Sequence, residues 1–129
     1  MKHLSGLVLL FSLIILGGCT STADRAPSHG IKHIVLVWLN NAGDQQDRST
    51  LIKHSEELRS IPGLIDLQIG TTVLSDRKIV DDSFDVGLVM TFADQKSMDE
   101  YINDPLHQKK VKTYFAPLSR KILIYDIQY

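Results

Sequence analysis

Residues 84–92 read FDVGLVMTF, and the fold follows from this run. Phe84, Val86, Leu88, Met90 and Phe92 recur at every second position. That period places alternate side chains on opposite faces of an extended chain, so it predicts a strand with one buried face. Upstream, residues 31–39 (IKHIVLVWL) are rich in β-branched residues and lack Gly and Pro, which predicts a second strand. Residues 64–73 (LIDLQIGTTV) set Ile65, Leu67 and Ile69 against Asp66 and Gln68, the pattern of a half-buried strand. Residues 120–129 (RKILIYDIQY) supply the last strand.

Between these runs the period changes. Leu51, His54, Leu58 and Ile61 fall at helical spacing, with Asp47 or Ser49 as candidate caps and Pro62-Gly63 as the stop. A second helix is expected after Asp94 and carries Met98, Tyr101 and Ile102. Asp104-Pro105 restarts it, since proline suits the first helical position. His107, Val111, Tyr114 and Leu118 then form the expected inner stripe. The order is β-α-β-β-α-β, so the fold class is α+β: a ferredoxin-like four-stranded antiparallel sheet with helices on one face. If His33, Val35 and Val37 face the helices, then Ile34, Leu36 and Trp38 face the other way. A bare apolar sheet face is unstable in water, so a homodimer through that face is expected, with Trp38 in the interface.

The chain has 129 residues, 14 basic and 15 acidic, for a net charge of −1. No basic excess exists for phosphate contacts, so nucleic-acid binding is excluded as an expectation. No Gly-rich phosphate loop or Gly-x-Ser-x-Gly elbow occurs, and no metal-ligand spacing pattern, so neither cofactor nor metal is expected. The one set that would serve as metal ligands, His33, His54 and His107, is spread along the chain. Lys109, Lys110 and Lys112 read as a solvated helix face, and Asp81-Asp82 with Asp85 as a solvated loop.

The N-terminus reads differently. Lys2 opens an apolar run from Leu4 to Leu16, about 20 Å as helix, against a hydrocarbon core of about 30 Å. A charged start, an apolar middle and small residues make a secretory signal. Leu16-Gly17-Gly18-Cys19 resembles a bacterial lipobox, which implies that residues 1–18 are removed and that Cys19, the single cysteine, carries acyl chains. Residues 19–30 then form a lipid-anchored flexible tether ahead of a domain over residues 31–129. The expected location is the cell envelope, with Thr20 after the cysteine favouring an outer membrane where two membranes exist.

Several strings together resemble one family. Lys32-His33-Ile34-Val35-Leu36, Leu58-Arg59-Ser60-Ile61-Pro62-Gly63, Ile69-Gly70, the run over residues 84–92 and Tyr101-Ile102-Asn103-Asp104-Pro105-Leu106-His107 stand in the order and spacing of the stress-responsive A/B barrel (Dabb) domain, a dimeric α/β-barrel family. The resemblance covers residues 31–129. A plant polyketide cyclase of the family performs an aldol-type ring closure without metal or cofactor, in a pocket between sheet and helices. The resemblance therefore implies pocket roles for His33, Tyr101 and His107 as catalytic residues. It implies a ligand-lining role for Leu51, His54, Val86 and Leu88. Val86 stands where the cyclase has a histidine.

Histidine exchanges protons near neutral pH, so His107 is the expected base, with His33 and Tyr101 as positioning donors. Two functions follow from the sequence. One is an envelope binding or stress module holding an apolar small molecule. The other is a cofactor-free enzyme that moves protons on a carbonyl compound.

Overall fold

The computed structural model describes residues 29–129. The expected signal segment, Cys19 and the tether as far as residue 28 lie outside the described residues.

Strand β1 (Ile31–Leu39) pairs antiparallel with β3 (Val86–Phe92) on one side and β4 (Ser119–Gln128) on the other. β2 (Asp66–Gly70) pairs antiparallel with β3, giving the sheet order β2-β3-β1-β4. This is the ferredoxin-like order, and the sequence pattern explains it. β1 and β3 carry the densest apolar alternation, so they take the two central places where both edges are paired. β4 holds its own alternation but stays at an edge.

Helix α1 (Gln45–Glu56) continues into a 3₁₀ turn (Glu57–Ser60). Its cap is Asp44, whose side chain accepts from the Asp47 amide at 2.8 Å, one turn ahead of the caps expected from sequence. Gly63, at φ +88°, turns the chain after Pro62. Helix α2 (Gln95–Asn103) begins on Asp94, which accepts from the Ser97 amide at 2.7 Å. Helix α3 (Pro105–Lys110) begins on Asp104 with Pro105 in its first turn. A π-helical turn (Val111–Phe115) and a short helix α4 (Ala116–Leu118) complete the layer.

The core lies between helices and sheet. Val35, Val37, Val86, Leu88, Met90 and Phe92 face Leu51, Leu58, Met98, Tyr101 and Phe115. β1 alternates buried and half-buried from Ile31 to Leu36, so His33, Val35 and Val37 do face the helices. Ile34 and Leu36 lie half-buried on the other face.

Four sequence expectations need correction. Trp38 is only 2% exposed within its own chain. Its indole donates to Ser83 Oγ at 2.8 Å, Phe84 meets it edge-on and the Lys121 ammonium sits 4.0 Å from its ring. Phe84 also leaves the buried face of the third strand. The strand begins at Val86, and Phe84 lies on the open face, where a Cβ on Gly87 would come within 3.2 Å of its ring. Asp85 is buried rather than solvated: it accepts from the Leu39 amide at 2.9 Å and the Gly43 amide at 2.7 Å, with Arg48 at 3.5 Å. Lys110 is buried rather than solvated: its ammonium pairs with Glu57 and lies beside His54.

Candidate active site

A cavity of about 210 Å³ lies between the helix layer and the β1–β4 side of the sheet. Its floor is His33 and Val35 of β1, Leu88 and Met90 of β3, and Ile122 and Ile124 of β4. Its roof is Tyr101 and Ile102 of α2, His107 and Lys110 of α3, and Val111 and Phe115 of the π turn, with Leu58 at one end. The lining is mainly apolar, with a few convergent polar side chains. That is the usual make-up of a small-molecule site.

Three of those polar side chains form a group. His33 is buried, and its Nδ1 lies 2.6 Å from Asp126 Oδ1. The pair exists because His33 and Asp126 stand opposite each other in the β1–β4 register. His107 Nδ1 donates to the Ile102 carbonyl at 2.9 Å. Both Nδ1 atoms thus face oxygen acceptors and carry a ring hydrogen, so in a neutral ring the lone pair sits on Nε2. Burial, the largest influence, lowers the pKa of His107, and nearby His33 adds to this. The bond to the Ile102 carbonyl and the charge of Asp104 pull the other way. His107 is held neutral.

Tyr101 is fully buried, against Phe92 at 5.0 Å and His107 at 4.8 Å between ring centroids. Its hydroxyl has no hydrogen-bond partner. Burial pushes its pKa up, and the charge of Asp104 adds to that, so the phenol stays protonated and remains a donor. A buried hydroxyl without a partner costs about 1–3 kcal/mol. Such a group beside a cavity is suited to an oxygen acceptor on a ligand.

The sequence-derived site is therefore brought together in part. His33, Tyr101, His107 and Leu88 line one cavity. Leu51 and Val86 do not; both are fully buried in the core beyond it. His54 does not either. Its ring stacks on Tyr114 at 3.4 Å, and its Nδ1 lies 2.8 Å from Glu57 Oε1 and 3.1 Å from Lys110 Nζ. Lys110 closes that cluster by pairing with Glu57. With His54 so engaged, His33, His54 and His107 do not converge on one point. Among the described residues, no group of three or more His, Cys, Asp or Glu side chains is placed to hold a metal ion.

Asp126 is the functional candidate that sequence reading missed. It stands 93 residues from His33, and only the pairing of the first and last strands brings them together.

Comparison with known proteins agrees with this architecture. No curated protein matches the chain. Among solved structures, a Dabb family protein with a ferredoxin-like fold from Mesorhizobium loti is similar at 23% identity and TM-score 0.65, covering 77% of this chain and 95% of that one. A hydroxynitrile lyase from Passiflora edulis is similar at 20% identity and TM-score 0.68, covering 80% and 95%. A dimeric ferredoxin-like protein of unknown function from Thermobifida fusca is similar at 20% identity and TM-score 0.64, covering 78% and 92%. At these identities the likeness concerns the fold. The model of the stress responsive A/B barrel domain matches residues 31–129, and the chain belongs to that family.

Proposed function

We propose that this domain is a small-molecule enzyme whose side chains move a proton on an apolar carbonyl or hydroxy compound. The observation that carries the reading is the buried, unpartnered hydroxyl of Tyr101, a residue that packs on His107 and lines, with His107 and His33, a mainly apolar cavity. His33 is the better base of the two. A proton taken up at its Nε2 makes an imidazolium that the Asp126 carboxylate faces directly, whereas His107 is backed only by a carbonyl. This reverses the sequence expectation that His107 is the base. In the step envisaged, His33 Nε2 takes a proton from the carbon next to the substrate carbonyl. The electron pair moves to the carbonyl oxygen, and Tyr101 hydrogen-bonds the enolate oxygen that forms. Neutral His107 packs against the Tyr101 ring and offers a second acceptor. The named activity of the Passiflora edulis neighbour supports the view that this fold accommodates lyase chemistry.

The reading includes two further parts. The domain acts as a homodimer through the open sheet face, supported by dimeric neighbours of the same fold. The chain is held to a bacterial membrane through acylated Cys19, supported by the sequence Leu16-Gly17-Gly18-Cys19.

Proton exchange tests the catalytic part without knowledge of the natural substrate. In D₂O, the protein should accelerate loss of the α-proton NMR signals of 2-heptanone. His33→Ala and Tyr101→Phe should each lower that rate at least tenfold, and Asp126→Asn should lower it less. Exchange that matches buffer alone, or that is equal in wild type and His33→Ala, would overturn the reading.

A further inference from the structure

The connection between β2 and β3, residues 71–85, is long and has no strand or helix of its own. Loops of this length in compact domains commonly have a task. This one is ordered by its own bonds. The Ser75 amide donates to Asp82 Oδ2 at 2.9 Å across its neck, and the Val80 amide donates to the Arg77 carbonyl at 2.9 Å. Yet it holds Val73 at 82%, Leu74 at 82% and Ile79 at 92% exposure. A tied loop that displays three aliphatic side chains is built to be covered.

Its root shows the direction it takes. Ser83 and Phe84 lie on Trp38, on the open face of the sheet, and Gly87 leaves room for the Phe84 ring. The arm therefore leaves the sheet on the side where no helix lies. Its charges are mixed: Arg77 and Lys78 against Asp76, Asp81 and Asp82. An acidic balance does not suit an anionic bilayer, which attracts basic clusters. A protein surface suits it better.

A second uncovered apolar surface in the described residues lies on β4. Ile122 and Ile124 are 37% and 50% exposed although both line the cavity. The arm and β4 lie at opposite edges of the sheet, because the order is β2-β3-β1-β4. They share one end of it: Gly70 pairs with Gly87, Gly87 with Leu36, and Leu36 with Leu123. A twofold axis between two stacked sheets, running along the strands, puts β2 of each copy over β4 of the other and keeps those ends together. Stacked sheets lie about 10 Å apart. Half of the arm, about seven residues at about 3.3 Å each, spans about 23 Å, enough to cross that gap and turn round the edge.

We infer that the arm of each copy hooks over β4 of a second copy, where Val73, Leu74 and Ile79 cover Ile122 and Ile124 and wall the cavity from outside. The inference rests on the homodimer proposed above and adds that each site is completed by its partner.

Cysteine pairing in the full chain tests it. A disulfide requires Cα atoms within about 7 Å. The double variant Leu74→Cys/Ile124→Cys should give a covalent dimer on non-reducing gels, several-fold more abundant than in either single variant or in wild type, which retains Cys19. Ile79→Asp should weaken dimerisation in sedimentation at least tenfold. Sedimentation as a dimer without the added cross-link would overturn the arm's placement and leave the homodimer standing. Single chains at micromolar concentration would overturn both. Weaker flotation of Ile79→Asp with phosphatidylglycerol vesicles, with dimerisation unchanged, would assign the arm to lipid and overturn the inference.

Discussion

Tyr101 shows how one residue divides stability from function. Its ring fills the core beside Phe92, while its hydroxyl is buried without a partner. Tyr101→Phe keeps the ring and removes the desolvated oxygen. We expect it to leave stability unchanged or raise it by about 1 kcal/mol in urea unfolding, while the proton-exchange rate falls. A loss of stability would mean that the hydroxyl is satisfied in solution. His107 gives a second test. Its pKa is lowered in the folded chain, chiefly by burial. Below about pH 6.5 the unfolded chain takes up a proton that the native site resists, so stability is full above that pH and falls as the pH drops through the native value. The slope is at most about 1.4 kcal/mol per pH unit. Denaturant midpoints at pH 7.5 and pH 5 should show this loss in wild type and a smaller one in His107→Leu.

At the scale of elements, legibility in sequence tracked how locally each element is determined. β1 was readable to the residue, because nine residues without Gly or Pro carry one unbroken pattern. β3 was readable except at its start. Phe84 continues the alternation on paper, but it lies on the open face against Trp38, while the next residue, Asp85, keeps its amide on the Val37 carbonyl and turns its side chain to the Leu39 and Gly43 amides. Val73 reads as the end of the strand over residues 64–73, but β2 stops at Gly70 and Val73 is exposed arm. The stripe His107, Val111, Tyr114 and Leu118 does face the cavity and the core, but the π turn that lets Phe115 join it has no signal in the sequence. Of the site, His33, Tyr101 and His107 were legible because their strings resemble a family. Asp126 was not, since its partner is set by strand register across the whole chain. Asp85 has a measurable consequence. Burial would raise its pKa, but the Leu39 and Gly43 amides and Arg48 outweigh burial and hold it below the usual carboxylate range. Its contribution is therefore complete above about pH 4 and lost below that as the native carboxylate protonates. Asp85→Ala leaves the buried Leu39 amide and Arg48 unpaired, and should cost about 2–4 kcal/mol at neutral pH in urea unfolding.

At the scale of the molecule, the two faces of the sheet divide the work. The helix-covered face encloses a cavity and sets three polar side chains around it. The open face, with Ile34, Leu36, Tyr125 and Ile127, is where a second copy is proposed to pack. The central claim concerns the first face: a carbonyl oxygen should sit on Tyr101. It is tested most directly by the carbonyl ¹³C resonance of labelled 2-heptanone bound to the protein. A hydrogen bond from Tyr101 polarises the carbonyl, so the resonance should move downfield on binding to wild type and stay near its free position on binding to Tyr101→Phe. An equal shift in both proteins, or no shift in wild type at saturation, would contradict the account.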